Sequence, residues 1–207
     1  MNDRRNEIPD IIVARLPKYL RALSVLREKG ETTNSKELGI YLGYSAAQIR
    51  KDLSQFGEFG KQGTGYNIDY LSQQIHAILN IDRDWKMILV GCGNIGHAIL
   101  NYSGFSKSGY HITAAVDTNP ELIGKAVNKE ITIQDFNEAE TIIKNEKIRI
   151  AMLTVPAQEA QNVAEKLVSF GIAGILTYAP TILYLPDEIR VEYLDPILSL
   201  QHITYYL

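Results

Sequence analysis

The sequence is poor in several features that mark particular classes of protein. A single cysteine in 207 residues excludes an intrachain disulfide framework and a metal site built from several cysteines. No apolar run approaches the length of a membrane-spanning helix, and the N-terminal stretch MNDRRNEIPD lacks the apolar core of a secretion signal. We therefore expect a cytoplasmic protein that has neither a membrane nor a metal ion as a partner.

The chain also lacks a strong excess of charge of either sign. Its charged residues (22%) and hydrophobic residues (45%) are balanced as in an ordinary soluble globular protein, and the net charge is only −3. The charge is unevenly distributed, however, because residues 1–83 carry a net +2 and residues 84–207 a net −5. This asymmetry permits DNA binding by the first part of the chain without requiring it.

A glycine motif in the second part of the chain separates a strand pattern from a helix pattern. Four apolar residues, 87–90, are followed by G-x-G-x-x-G, whose glycines are Gly91, Gly93 and Gly96. The first glycine permits a tight turn, the second lets the backbone approach a pyrophosphate, and the third lets the helix pack closely on the strand. The N–H groups at the start of that helix would bind the phosphates.

An acidic residue follows the next strand pattern. Apolar residues 112–116 end in Asp117, 21 residues after Gly96, where a carboxylate can bind the adenosine ribose and repel a 2′-phosphate. A glycine turn alone can be purely structural, but strand, helix and acid together predict a dinucleotide site that prefers NAD to NADP. Cys92 lies inside the loop. We favour the interpretation that it is simply a small side chain that fits there, and a redox-active thiol is the alternative.

Strand and helix patterns alternate from the glycine motif almost to the end of the chain. Such alternation predicts parallel strands with right-handed crossovers, as in a Rossmann-type sheet. Residues 195–207 are rich in apolar side chains, so we expect them to dock against the chain or against a second subunit. Beyond the first two strands, the predicted strands are 131–133, 149–155, 172–178 and 190–194, and the predicted helices are 134–145 and 157–170.

The first part of the chain has the outline of a helix-turn-helix. Helical spacing covers residues 9–29, with Pro17 either inside one helix or between two, and a second helix fits residues 35–42. Ser45 and Gln48 form an S-x-x-Q capping box that begins a third helix through Leu53. Glycines alternate with aromatic residues over 56–66, which indicates either a β-hairpin wing or a flexible loop.

The third helix presents residue types suited to reading DNA. Ile49 and Leu53 face inward, whereas the polar residues fall largely on the other faces. Glutamine and arginine suit bidentate contacts with adenine and guanine edges, and lysine suits phosphate. A merely solvated helix face is the alternative interpretation. These polar residues are Gln48, Arg50, Lys51 and Ser54.

Several stretches together resemble the redox-sensing transcriptional repressor Rex family, and the resemblance runs along nearly the whole chain. The block QIRKDLSQFGEFG, joined in one chain to a dinucleotide-binding pattern, is its most specific landmark. The landmarks are Arg15-Leu16-Pro17, Ser35-Lys36-Glu37-Leu38, residues 48–60 (that block), Gly63-Thr64-Gly65-Tyr66, the glycine motif, Asn101-Tyr102-Ser103-Gly104-Phe105 and Tyr178-Ala179-Pro180.

The resemblance implies an α/β protein made of an N-terminal winged helix-turn-helix domain (1–80), a Rossmann-type parallel-sheet NAD(H)-binding domain (81–194) and a C-terminal domain-swapped helix (195–207). It also implies a homodimer that binds a palindromic double-stranded operator. NADH would close the dimer and release the DNA, whereas NAD⁺ would compete for the same site and permit DNA binding.

The resemblance implies three sets of functional residues. Asp195 would bridge alternately to Arg21 and to Tyr102, although Pro196 directly after it departs from the usual family ending. The cofactor-binding residues are Gly91, Cys92, Gly93, Asn94, Ile95, Gly96, Tyr102, Asp117, Thr154, Val155, Pro156, Tyr178, Ala179 and Pro180. The DNA-binding residues are Arg15, Lys18, Ser45, Ala47, Gln48, Arg50, Lys51, Ser54, Lys61 and Gly63.

Two other functions would use a similar fold. A small NAD-dependent dehydrogenase needs an acid or base beside the nicotinamide, and none of the four histidines (76, 97, 111 and 202) follows a strand end where substrates bind. A CoA-binding domain would explain neither the wing block nor Asp117. The sequence therefore predicts a sensor and repressor rather than an enzyme.

Overall fold

The computed structural model describes residues 8–61, 64–129 and 131–207. It divides into two compact units, Met1–Arg83 and Asp84–Leu207. Within the described residues, no helix combines the length and the apolar character needed to cross a membrane.

The first unit is a winged helix-turn-helix. Its three short strands form an antiparallel sheet in the order β1-β3-β2, in which Gly60 and Lys61 pair with Tyr66 and Gly65 as expected of a wing. Its elements are α1 (Asp10–Val13), α2 (Leu16–Arg27), β1 (Thr32–Thr33), α3 (Ser35–Leu42), α4 (Ala46–Ser54), β2 (Gly60–Lys61), β3 (Gly65–Asn67) and α5 (Ile68–Leu79).

Local sequence signals explain where these helices begin and end. Residues 9–29 form two helices, and Pro17 lies inside the second one and not between them; it occupies the first turn of α2, where its missing N–H costs nothing. Gly43 ends α3 with a φ of 69°. The Ser45 hydroxyl accepts the N–H of Gln48 and caps α4. The Gln48 side chain does not complete the capping box, because its amide donates to Asp52 instead.

A fully buried carboxylate, that of Asp52, lies in the core of this unit. Asp52 on α4 accepts two hydrogen bonds from the Arg15 guanidinium, at 2.7 and 2.8 Å, and one from the Tyr19 hydroxyl at 2.6 Å. Burial would raise the pKa of Asp52, but these hydrogen bonds and the charge of Arg15 outweigh it and hold the pKa below its ordinary value. The pair therefore stays ionised inside the apolar core.

We predict that Arg15→Ala lowers the free energy of unfolding by about 3–5 kcal/mol, because it leaves the buried Asp52 carboxylate without an opposite charge. Arg27→Ala is a matched control: Arg27 Nε lies 2.7 Å from Asp69, but the two side chains are 46% and 65% exposed. Its loss should cost less than about 1 kcal/mol. Urea unfolding measures both, and equal effects would contradict a special role for the buried pair.

The second unit is built on a six-stranded parallel sheet in the order β6-β5-β4-β7-β8-β9, which confirms the predicted Rossmann-type architecture. The strand order reverses between β4 and β7, the position where such sheets bind ligands. Its strands are β4 (Trp85–Val90), β5 (Tyr110–Asp117), β6 (Ile133–Asp135), β7 (Ile150–Leu153), β8 (Gly174–Thr177) and β9 (Arg190–Tyr193).

Helices pack on both faces of this sheet. Because side chains alternate along a strand, β4 contributes Ile88 and Val90 to one apolar core and Met87 and Leu89 to the other. The first core includes α8 and α9, and the second includes α6. The helices are α6 (Asn94–Leu100), α7 (Gly104–Lys107), α8 (Ala139–Glu146), α9 (Ala157–Phe170) and α10 (Pro196–Thr204), with a 3-10 turn at Phe136–Glu138.

The strands predicted at 149–155, 172–178 and 190–194 are shorter in the structure, where they span Ile150–Leu153, Gly174–Thr177 and Arg190–Tyr193. Two further boundaries differ for physical reasons that the structure shows. Strand β6 begins at Ile133, not at residue 131, because it pairs with β5 from Ala115 onward. The helix expected from residue 134 begins later, since the Asp135 carboxylate caps a 3-10 turn first. Helix α10 leaves its apolar side chains more than half exposed in the single chain: Ile197 56%, Leu198 61%, Leu200 54% and Ile203 52%.

Candidate functional site

A cavity of about 770 Å³ lies in the second unit at the carboxyl ends of the central strands. The loops after β4, β5, β7 and β8 meet there, so residues distant in sequence line one space. Ten predicted cofactor-binding residues line it: Gly91, Gly93, Asn94, Ile95, Asp117, Thr154, Val155, Pro156, Tyr178 and Pro180.

The glycine turn is packed so closely that two of its glycines have no room for a side chain. Gly91 has a φ of 93°, and a Cβ there would lie 2.8 Å from the carbonyl oxygen of Thr154. A Cβ on Gly96 would overlap the carbonyl oxygen of Gly91. The Thr154 hydroxyl donates to that same oxygen at 2.5 Å and so ties the end of β4 to β7. These contacts fit the roles expected for the first and third glycines.

Gly93 differs, because apart from its own atoms and those of its two chain neighbours no protein atom lies within 4 Å of the position that its Cβ would take. Its backbone lies in an ordinary extended region, with a φ of −67°, so its conformation does not require glycine. The empty space beside it opens into the cavity. A side chain at this position would therefore project into the space that a ligand of the cavity could occupy and would not collide with the protein.

The cavity offers backbone groups, not basic side chains, to an anion. Helix α6 begins at its edge, and Gly93 supplies no side-chain cap to the N–H groups of the first turn. Helix α9 likewise begins after Pro156 without a side-chain cap. The described residues that line the cavity include no lysine or arginine. A pyrophosphate would thus bind to free N–H groups and helix dipoles.

The Asp117 carboxylate joins the glycine turn to the end of β5. One oxygen accepts the N–H of Cys92 at 2.6 Å, and the other accepts the N–H of Asn119 at 2.8 Å. Each carboxylate oxygen can accept a second hydrogen bond, so the group retains acceptors for two ribose hydroxyls. Asp117 therefore both shapes the loop and faces the cavity.

Cys92 is buried beneath the loop. Its thiol lies 3.6 Å from the carbonyl oxygen of Val116. Burial, together with the charge of Asp117, raises the pKa of the Cys92 thiol to about 12. The thiol therefore stays protonated near neutral pH, which supports the small, well-packed side chain over the redox thiol.

Three further predicted cofactor residues lie away from the lining of this cavity. Gly96 is buried against the turn, and Ala179 is buried with its N–H donated to the Thr177 hydroxyl. Tyr102 is 64% exposed, stacks edge-to-face on Phe105 and lines a separate cavity of about 790 Å³. Their role as ligand contacts stays a prediction.

The sequence interpretation missed part of the lining. Leu122 and Phe136 add apolar side chains to the lining, and Glu159 adds a second carboxylate. Of these residues, only Glu159 has a local signal in the sequence, because it lies in the first turn of the helix that follows β7. The other missed lining residues are Val90, Thr118, Asn119 and Val163.

The predicted DNA-binding residues of the first unit fall into two groups. Arg15 is 15% exposed and paired with Asp52, and Gln48 is half-buried with its amide on the same carboxylate. Arg50 is exposed and donates to the Ser35 hydroxyl at 3.0 Å. The others that the structure describes in full are exposed: Lys18, Ser45, Ala47, Lys51 and Ser54. Gly63 and the side chain of Lys61 lie outside the described residues.

The predicted switch residues have the following surroundings. Arg21 is exposed on α2, and its carbonyl oxygen accepts the Ser24 hydroxyl. The Asp195 carboxylate accepts the N–H of Ile197 at 2.9 Å and caps α10, with Pro196 at the first helical position. The proline that departs from the usual family ending therefore fits the helix start without strain.

We predict that Gly93→Ala folds as stably as the natural chain but binds NADH roughly tenfold more weakly or worse, a loss of about 1.4 kcal/mol. Its methyl group would occupy the space that the pyrophosphate needs. Gly96→Ala should instead lower stability by about 1–3 kcal/mol, because its Cβ meets backbone. Urea unfolding and NADH fluorescence titration separate the two. Natural NADH affinity in Gly93→Ala would place the pyrophosphate elsewhere.

Comparisons with known proteins cover both units. Residues 82–181 match the family model described as CoA binding domain, and residues 7–54 match the one described as Putative DNA-binding protein N-terminus. The redox-sensing transcriptional repressor Rex of Roseiflexus sp. (strain RS-1) is 48% identical over 206 residues, which cover 99% of this chain and 93% of the relative. The repressor of the same name from Brevibacillus brevis is 44% identical over 205 residues, 99% of each chain.

Solved structures agree with these relatives. The crystal structure of RSP in complex with beta-NAD⁺ and operator DNA matches with a TM-score of 0.90 and 36% identity, over 96% of this chain and 92% of that one. The structure of RSP in complex with beta-NADH matches with a TM-score of 0.86 and 34% identity, over 96% and 93%. Identity at this level over almost the full length shows that the chain belongs to the redox-sensing transcriptional repressor Rex family.

Proposed function

We propose that this protein is a DNA-binding transcriptional repressor that senses the ratio of NADH to NAD⁺. The observation that carries the proposal is the combination, in one chain, of a winged helix-turn-helix with a glycine-turn cavity at the switch point of a parallel sheet. The relative RSP was crystallised with NAD⁺ and operator DNA and also with NADH, which supports both ligands for this chain.

NAD(H) is the proposed ligand of the 770 Å³ cavity. The N–H groups at the start of α6 would hold the pyrophosphate, Gly93 would give it room, and Asp117 would accept the ribose hydroxyls. The match to a family model described as CoA binding domain covers residues 82–181 alone, whereas the Rex repressors match the whole chain. The CoA-binding match therefore supports the fold of the second unit, and NAD(H) stays the proposed ligand.

The protein acts by coupling two binding events and is not an enzyme. The relatives that it resembles along its full length are named as transcriptional repressors. NADH closes the dimer and releases the operator, and NAD⁺ competes for the cavity and permits DNA binding. A ligand shifts such an equilibrium only by its different affinity for the two arrangements. A tenfold effect on operator affinity needs a difference of about 1.4 kcal/mol.

A homodimer is the proposed assembly, with residues 1–80 reading DNA, 81–194 binding NAD(H) and 195–207 exchanged between subunits. The exposed apolar side chains of α10 support this, because so much apolar surface at a chain end is costly in water. A two-fold dimer presents two recognition helices to a palindromic operator. Because its proposed partner is operator DNA, we propose that the protein acts in the cytoplasm.

The direct test is a mobility shift on a palindromic duplex selected from a randomised library. We expect NADH to release the duplex and NAD⁺ to leave it bound, with excess NAD⁺ raising the NADH concentration needed for release. Nicotinamide absorbance recorded in the same samples should stay constant, since no hydride is transferred. A duplex that stays bound at saturating NADH would overturn the proposal.

Arg50→Ala should weaken operator binding by at least about tenfold, because it removes an exposed guanidinium from the recognition helix. Its NADH affinity should stay natural. Arg27→Ala removes the same charge from α2 and serves as the matched control, with little change expected in operator affinity. Loss of NADH binding together with DNA binding in Arg50→Ala would indicate a folding defect and not a lost DNA contact.

The dimer is tested on α10. Leu198→Glu puts a charge on an apolar side chain that is 61% exposed in the single chain, so it should leave a monomer folded but lower the mass measured by light scattering from dimer towards monomer. Gln201→Glu adds the same charge to a polar exposed position of the same helix and should leave the dimer intact. A natural chain that is already monomeric would refute the assembly.

A further inference from the structure

The buried carboxylate of the first unit has a contact that its role in stability does not explain. One oxygen of Asp52 accepts Arg15 Nη2 at 2.8 Å and Gln48 Nε2 at 2.6 Å. The other accepts Arg15 Nε at 2.7 Å and the Tyr19 hydroxyl at 2.6 Å. Arginine and tyrosine hold the carboxylate in place from the core, whereas glutamine connects it to the half-buried start of helix α4.

This contact fixes which way the Gln48 amide points. The bidentate contact with Arg15 keeps Asp52 ionised, and its pKa lies below the ordinary value. An ionised carboxylate has no hydrogen to donate, so only the NH₂ group of an amide can face it. A neutral hydroxyl in its place could accept a hydrogen bond from the NH₂ group or donate one to the carbonyl oxygen, so it would not fix the orientation of the amide. The carbonyl oxygen of Gln48 must therefore point away from Asp52, as must its second N–H.

Gln48 is also placed where a recognition helix reads bases. It is the third residue of α4, whose N-terminal cap is Ser45, and helix-turn-helix proteins contact base edges with the N-terminal residues of this helix. Adenine presents an N6 donor and an N7 acceptor in the major groove, which match one carbonyl oxygen and one N–H. Guanine presents two acceptors, which would oppose the carbonyl oxygen.

We propose that Asp52 is a positioning residue that fixes the Gln48 amide for an adenine in the major groove. A carboxylate that never contacts DNA thus sets the base preference at one position of each operator half-site. The inference rests on the proposed function, since it specifies how the DNA-binding unit reads its operator.

The two oxygens of Asp52 provide a matched pair of variants. Tyr19→Phe removes a 2.6 Å hydrogen bond from one oxygen and leaves the contact with Gln48, so it should lower stability but keep the base preference. Asp52→Leu removes the contact with Gln48 and frees the amide to turn over. Arg15→Met/Asp52→Leu also removes the charge left unpaired, so it provides a folded variant if the single substitution fails to fold.

Competition binding measures the preference. Each position of the selected palindrome is replaced symmetrically in both half-sites, and the ratio of affinities for adenine and guanine is recorded for every protein. We expect the natural chain and Tyr19→Phe to favour adenine by about tenfold or more at one position. Gln48→Ala, Asp52→Leu and the double variant should bring that one ratio close to one and leave the ratios at the other positions unchanged.

Two results would overturn the inference while the proposed function stands. One is an adenine preference that survives in Gln48→Ala; the other is a loss of affinity in the Asp52 variants that is equal at all positions, as expected of mere destabilisation. Both presuppose a natural chain that binds the palindrome and releases it with NADH. A natural chain that does neither refutes the proposed function itself, and the inference with it.

Discussion

The second unit depends on how closely the end of β4, the glycine turn and helix α6 approach one another. Gly96 packs directly against the carbonyl oxygen of Gly91, and the Thr154 hydroxyl holds that oxygen from the neighbouring strand. Because β4 and β7 are the strands at which the order of the sheet reverses, this contact sets the floor of the cavity. Asp117 then holds the turn from its other side, so three strand ends define one site.

Sequence-based prediction succeeds where a residue type forces an element to begin or end. Helix α9 agrees with the predicted 157–170 because Pro156 precedes it and Gly171 follows it. Gly91 and Gly96 likewise specify a turn in which a side chain at either position would collide with the backbone. Helix α7 was missed because four residues are too few to show a helical period. Leu122 and Phe136 reach the cavity only through the path of the chain after β5, which no local pattern reveals.

The buried hydrogen-bond network of the first unit is a second feature that local sequence patterns do not predict. Arg15 and Asp52 are 37 residues apart, and neither position looks unusual in its own helix. A hydrophobic pair of similar volume would often be as stable, so such a pair is not explained by stability alone. Its hydrogen bonds also require one orientation of each partner, which an apolar contact does not. The core of this unit therefore holds a recognition helix in one defined position.

The lining of the nucleotide cavity has a consequence for how the two units respond to ionic strength. In the proposed binding mode neutral backbone N–H groups would hold the pyrophosphate, since no lysine or arginine is among the described lining residues. Salt screens such helix-dipole contacts only partly, whereas contacts with DNA phosphates weaken steeply as salt rises because they release the counterions of the DNA. A rise in the ionic strength of the cell would thus weaken operator binding more than it weakens NADH binding.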